Sequence, residues 1–428
     1  MTRVLTVLPD FPWPDSTGLH LRMMGNLRAV HALGFESHVA WFATPERTEE
    51  SVDPSVLDDI AESVTCLGPR VEQHDISVAR RIASKFSFVA TGLAGWPREP
   101  YPYSMRYDVA DGREQLSELV WFLKPDAVVL PSQLIHWEAD LVGVRVIADA
   151  ADVLTDVTER LARTSDGGLI HRLGLWANHL ACRRQERRHA GRVDEIWATS
   201  QAEADRFREL APDAHVVVVP NTVAAADAAG ETADGTADPA EAAASAATPE
   251  RVAVSFGMLA TWSYRPNLDA AHRLIDQIAS RVIAAVPEAR LVLAGADLPD
   301  ELQQRIADHP GMEYLGRLDD VQDFYDAIDV AAIPLTVRGG VPLKLAEALA
   351  RGRAVVASEE LVDGLDLESG RDVMVAPDDG AFASCIVELA ASPQRRQELV
   401  RNGRAAHRRA FSEQQIVDAV REHSVIGG

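Results

Sequence analysis

The chain alternates short, unbroken apolar runs with longer stretches of mixed polarity. In the first half the runs are VLTVL (4 to 8), SHVAWFA (37 to 43), DAVVLP (126 to 131), VRVIADA (144 to 150), DEIWATS (194 to 200) and HVVVVPN (215 to 221). None alternates strictly between apolar and polar, so each predicts a strand covered on both faces, as in a parallel sheet wrapped by helices. Between them, stretches such as LHLRMMGNLRAVHALG (19 to 34) place apolar residues at helical spacing and end on Gly34, a C-terminal stop. The pattern predicts a doubly wound α/β domain.

From 224 to about 247 large apolar side chains almost vanish and alanines and acids take over. Such a segment cannot bury enough surface to offset its ordering entropy, and it predicts a mobile insertion at a domain boundary. The strand rhythm then resumes with RVAVSFGML (251 to 259), ARLVLAG (289 to 295), MEYLG (312 to 316), VAAIPL (330 to 335), AVVAS (354 to 358) and VMVA (373 to 376). The expected fold class is therefore α/β, with two doubly wound Rossmann-like domains facing across a cleft. Their spans are 1–223 and 250–410, with 224–249 as insertion or linker. Ligands of open parallel sheets collect at the carboxyl ends of the strands, so a ligand is expected in that cleft.

Length supports the division, because 428 residues exceed one ordinary core. No apolar run approaches the ~18 residues a spanning helix needs, and the start, MTRVLTVLPDF, lacks the order of a secretory signal. A soluble, cytoplasmic protein is expected. Cys66, Cys182 and Cys385 are far apart and fit neither a disulfide framework nor a zinc site. The formal net charge of −23 argues against a nucleic-acid partner, and an anionic ligand would need a local basic pocket.

One stretch offers such a pocket: RGGVPLKLAEALARGRAVVAS, residues 338 to 358. Gly339 and Gly340 permit close backbone approach, Pro342 suits a first helical turn, and free N–H groups at a helix start attract phosphate. Lys344 adds positive charge in that turn. Glu347, three residues on, shares its face and can accept from the hydroxyls of a ribose. The stretch reads as a nucleoside-diphosphate clamp, against the alternative of a surface ion pair worth a few tenths of a kcal/mol.

At this point the sequence resembles a family: retaining nucleotide-sugar glycosyltransferases of the GT-B fold, family four (the group 1 type). The matching pieces are VSFGMLATWSYRPNLDA (254 to 270), ARLVLAGA (289 to 296), MEYLGRLDDVQDFYDAIDVAAIPL (312 to 335) and GGVPLKLAEALARGRAVVAS (339 to 358). PNTV (220 to 223) resembles the family's crossing into its second domain, and FPWPDSTGLHLR (11 to 22) its first-strand loop. The resemblance implies that Glu347 holds the ribose and that Gly340, Val341, Pro342 and Leu343 hold the distal phosphate. It further implies that Arg265 binds the diphosphate with support from Lys344, that Arg317 flanks the base, and that Gly18 admits the diphosphate. The tail 411–428 is implied to return to the first domain.

One departure stands out. The family pattern is Glu-x7-Glu, and eight residues before Glu347 this chain has Gly339. Either the donor sugar is larger or differently hydroxylated than a common hexose, or another group such as Arg338 replaces the contact. On the acceptor side the candidates are His20, Arg22, Gln133, His136 and Asp149, each open to a structural explanation. His136, five residues past a strand, corresponds to the family's histidine near the reacting sugar and joins Arg265 and Lys344 as a catalytic candidate.

The implied chemistry is transfer with retention, the diphosphate leaving from the face the acceptor attacks. No metal, and no cofactor beyond the UDP- or GDP-sugar substrate, is expected. A small-molecule acceptor from secondary metabolism or glycoconjugate synthesis is favoured over a lipid. The basic, apolar segment 76–96 keeps a membrane-docked enzyme with a lipid-linked or envelope acceptor as the alternative. An oxidoreductase is disfavoured because no G-x-G-x-x-G follows the first strand. A two-domain sugar-binding protein is disfavoured by the cationic pair Arg265 and Lys344. The oligomeric state is not legible.

Overall fold

The computed structural model describes residues 1–13, 18–45, 47–69, 112–164, 167–222, 254–318, 320–336, 343–363 and 365–427. The segments 76–96 and 224–249, and Gly339, Gly340, Val341 and Pro342, lie outside them. The chain divides into two compact units, Met1–Asn221 with Glu413–Gly428, and Thr222–Ser412.

The first unit is built on strands β1 (Arg3–Leu8), β2 (Glu36–Ala43), β3 (Ser63–Pro69), β4 (Ala127–Pro131), β5 (Arg145–Ala150), β6 (Glu195–Ala198) and β7 (Val216–Val218). They form one sheet in the order β3-β2-β1-β4-β5-β6-β7, every pair parallel. All six apolar runs became strands because both faces are covered. Strand β1, for example, is buried from Val4 to Leu8. The seventh strand, β3, went unforeseen: it is a sheet edge, most of its residues are only half-buried, and SVTCLGP therefore carries no continuous apolar run. Gly34 ends the helix Gly18–Ala32 at φ +75°, its N–H bonded to the His31 carbonyl at 2.8 Å.

The helix Glu413–His423 belongs to this unit's core. Ile416, Val417, Val420 and Ile426 pack with Val4, Val30, Trp197 and Val217. The fully buried Glu195 accepts from Ser424 Oγ at 2.6 Å and from the Val425 N–H at 2.7 Å, while Arg28 pairs with Glu413 at 2.9 Å. Glu195 would be costly to bury without those donors.

The second unit contains β8 (Ser255–Leu259), β9 (Arg290–Ala294), β10 (Met312–Tyr314), β11 (Val330–Ile333), β12 (Ala354–Ser358) and β13 (Met374–Ala376). Its sheet runs β10-β9-β8-β11-β12-β13, again all parallel. Glycine is obligatory at 295: φ is +113°, and a Cβ would stand 1.9 Å from the Ala260 carbonyl oxygen, whose loop it braces.

Both sheets are doubly wound, as the run pattern predicted. Each reverses its strand order once, between β1 and β4 in the first unit and between β8 and β11 in the second. Such reversals open a crevice at the carboxyl ends of the strands, and both sites described next lie beside one.

Candidate functional site

In the second unit, the loop after β8 leads to the helix Arg265–His272 and the chain after β11 leads to the helix Leu343–Ala350. Trp262 Nε1 donates to the Ala294 carbonyl at 3.1 Å and Asn267 Nδ2 to the Thr261 carbonyl at 2.8 Å, pinning the first loop. Arg265 opens its helix with Pro266 beside it. Its side chain is 81% exposed and pairs with Asp269 at 2.8 Å. The guanidinium is thus tethered but solvated.

Leu343 begins the other helix, with Lys344 and Glu347 in its first turn and a half. The Tyr325 hydroxyl donates to Glu347 Oε2 at 3.2 Å, and Arg351 Nε lies 3.8 Å from Oε1. Arg351 also stacks 5.6 Å over the Tyr325 ring. Tyr325 is buried; burial first, and the Glu347 charge after it, push its hydroxyl well above the usual range, so it remains a donor. Glu347 is therefore oriented from behind with its side chain 15% exposed. Burial draws the Lys344 ammonium below its usual range, while Glu347 opposes the shift. A cation so placed gains from any anion that comes to it. Arg317, exposed, follows β10 at the same edge of the sheet, two strands from β8.

In the first unit, the structure places the five acceptor-side candidates very differently. Arg22 is 2% exposed, and its donors are spent. Nε donates to Asp149 Oδ1 at 2.9 Å, and Nη1 donates to Asn221 Oδ1 at 2.7 Å and the Val219 carbonyl at 3.1 Å. Nη2 also reaches Asp149 and, at 3.4 Å, the Trp197 carbonyl. Neither the solvated arginine nor the sugar-facing one is found: Arg22 ties the ends of β5, β6 and the segment after β7 together. His20 is buried between Asp10, at 3.4 Å, and Arg47, at 2.6 Å. Gly18, exposed, is the first residue of the same helix.

Gln133 and His136 lie on the 3₁₀ helix Ser132–Asp140 directly after β4. Gln133 lines the crevice at the β1/β4 reversal together with Asp149. His136 turns inward: it is 1% exposed, with Trp137 and His189 ring centroids at 6.2 and 6.4 Å in edge contacts. A further carboxylate stands nearby. Glu203, third residue of the helix capped by Ser200, accepts from the Thr199 N–H at 3.1 Å and from its hydroxyl. Burial, opposed by the Thr199 hydrogen bonds and aided by Asp152, raises it from 4.5 to about 6.

Sequence reasoning missed Tyr325, which orients Glu347, and Thr6 and Asn26, which line the first crevice. Asn221 was legible only as part of the PNTV segment, not as the partner of Arg22. Tyr325 had a signal available: it stands one position past the buried Phe324 in a helix that leads into β11.

With the geometry in view, residues 253–392 match the family model described as glycosyl transferases, group 1. Among curated proteins, none matches the chain. Solved structures resemble it along nearly its whole length. HepE (Alr3699) of Anabaena, solved with UDP and glucose, has a TM-score of 0.62 at 15% identity over 98% of both chains. Sucrose-phosphate synthase of Thermosynechococcus elongatus has a TM-score of 0.62 at 13% identity over 97% of this chain and 96% of the other. WaaG, a glycosyltransferase involved in lipopolysaccharide biosynthesis, has a TM-score of 0.59 at 14% identity over 99% of this chain and 100% of the other. These likenesses show the fold, two doubly wound α/β units of the GT-B class, and the family-model match covers a stretch of the second unit alone. Among the described residues, no helix is long and apolar enough to cross a membrane.

Proposed function

We propose that the protein is a retaining glycosyltransferase that moves a sugar from a nucleoside diphosphate, UDP first among the candidates, to a hydroxylated small molecule. What carries this reading is Glu347, held by Tyr325 and Arg351 one turn from the desolvated Lys344, inside the stretch that matches the family model. HepE, solved with UDP and with UDP-glucose, supports the choice of base.

The roles follow from the chemistry of each group. Glu347 accepts from the ribose hydroxyls, while Lys344 and Arg265 meet the diphosphate. The bond between the anomeric carbon and the leaving phosphate oxygen breaks, and its electrons go to the phosphate. The acceptor oxygen bonds to the anomeric carbon from the same face, and its proton passes to the departing phosphate. The protein's contribution is electrostatic: cations stabilise charge building on the leaving group, and no metal is needed for that. Gly339 in place of the family's first glutamate removes one hydroxyl contact, so the donor sugar is expected to differ from a common hexose.

The test is stability against UDP, GDP, ADP and dTDP in EDTA, for the wild type and Glu347→Ala. A nucleotide at 100-fold excess over its dissociation constant stabilises by about 2.7 kcal/mol. One nucleotide should do so in the wild type and lose the effect in the variant. Stabilisation by none of the four would sink the transferase reading.

A further inference from the structure

The 22-residue helix Leu169–Ala190 of the first unit carries one row of outward side chains: Leu169, Leu173, Trp176, Leu180, Arg183 and Arg187. They follow one another at steps of four and three, which at about 3.6 residues per turn keeps all six on one face. The other side of the helix does the packing. Ala181, Cys182 and Ala190 join the core of the unit, with His179 and Glu186 buried beside them. The outward row is therefore not needed for the fold.

Its first half is apolar and open to solvent. Leu169 is 73%, Leu173 60% and Leu180 49% exposed, and Trp176 between them is half-buried. Leu161, near the end of the preceding helix Leu154–Thr164, which packs against this one, is exposed too. One exposed leucine is ordinary, whereas a continuous patch of them marks an interaction surface. The second half is cationic. Arg183 and Arg187 end the row, Arg184 stands beside them and Arg172 beside the leucines. All four are exposed, and no ion pair joins them to a described residue. The one carboxylate of the helix, Glu186, is turned inward, accepting from the Leu154 and Thr155 N–H groups at 2.8 and 2.9 Å. In a chain of net charge −23, an acid-free cationic row is a local reversal of sign.

The partner must thus offer hydrocarbon and negative charge along one line of about 27 Å, the distance from Leu169 to Arg187 at 1.5 Å per residue. A second copy of the helix does not. Laid antiparallel along the row it sets leucines against arginines, laid parallel it sets arginine against arginine, and in neither case does it supply a carboxylate. A bilayer bearing anionic lipids offers both at every register. We infer that this row is a docking surface for an anionic membrane, with the leucines and Trp176 at the acyl boundary and the arginines among the headgroup phosphates. The inference stands apart from the transferase reading and uses none of its residues.

The experiment is flotation of the full chain with vesicles of phosphatidylcholine alone or mixed with phosphatidylglycerol, at low and high salt. Two variants are compared with the wild type, Leu169→Ser/Leu173→Ser and Arg183→Gln/Arg187→Gln. Both replace exposed side chains, so the melting temperature and any stabilisation by UDP should stay as in the wild type. The expected result is binding to the anionic vesicles that weakens at high salt and falls about tenfold in each variant. No flotation of the wild type, equal flotation with neutral vesicles, or binding that both variants retain would each overturn the assignment. In the last case another stretch, such as the basic segment 76–96, does the binding. Self-association of the wild type without vesicles, abolished in the leucine variant, would equally overturn it and make the row an interface between copies.

Discussion

Arg22 and Arg265 each sit on a helix that follows the strand beside the reversal of a doubly wound sheet, yet they could hardly be less alike. Arg22 is 2% exposed and bound to four acceptor groups; Arg265 is 81% exposed with Asp269 as its ion-pair partner one turn away. The first has already spent on its own fold the hydrogen bonds that the second can offer a ligand. A cation at the carboxyl edge of a sheet is therefore a ligand candidate only so far as its donors remain unspent. By that measure Arg265, not Arg22, is the one of the two that can serve the diphosphate proposed above.

The sharpest way to break this contrast is Arg22→Met. It leaves the half-buried Asp149 without its counter-charge and the Val219 and Asn221 acceptors without their donor, and should cost about 3 kcal/mol in urea unfolding of the first unit. A loss under about 1 kcal/mol would show the clamp to be incidental. Next comes Glu203→Gln. Because the folded state holds this proton more tightly than the unfolded chain, with a folded value of about 6 against 4.5, its contribution is complete below pH 4.5. It fades as pH rises through 6, so the wild type should lose roughly 2 kcal/mol across that window relative to the variant. Superimposable pH profiles would remove the carboxylate from the account. Lys344→Met should leave the unliganded chain as stable or up to about 1 kcal/mol more so, since a desolvated cation is relieved, while UDP binding by calorimetry weakens about tenfold. The smallest expected change is in Arg265→Ala: under about 0.5 kcal/mol in stability, because an exposed pair contributes little, with the loss appearing in turnover.

Strands were the most legible part of the chain, because burial on both faces writes an apolar run directly into the sequence. The edge strand β3 escaped for the converse reason: half of it meets water, and Ser63, Thr65 and Gly68 are tolerated there. In the second unit the proposed clamp could be put forward from the sequence because its residues are local, with Lys344 and Glu347 three positions apart on one helix. The first unit was harder. Arg22, Asn26, Asp149 and Asn221 meet across as many as 199 positions, and no spacing rule links them. His136 illustrates the limit from the other side. Its position after β4 could be read from the chain, but the inward turn of the 3₁₀ helix that buries it could not.

The helix Glu413–His423 carries a consequence for the order in which the protein can be made. Residues 416 to 426 complete a hydrophobic cluster that also needs Val4, Val30 and Trp197, so the first unit is discontinuous in the chain while the second is contiguous. During synthesis the second unit has all its residues before the first does. Val4 and Trp197 must wait, partly uncovered, until more than two hundred further residues have emerged. The unit that begins the chain is thus the one that finishes folding last, and the interval between the two is when its sheet is most open to wrong partners.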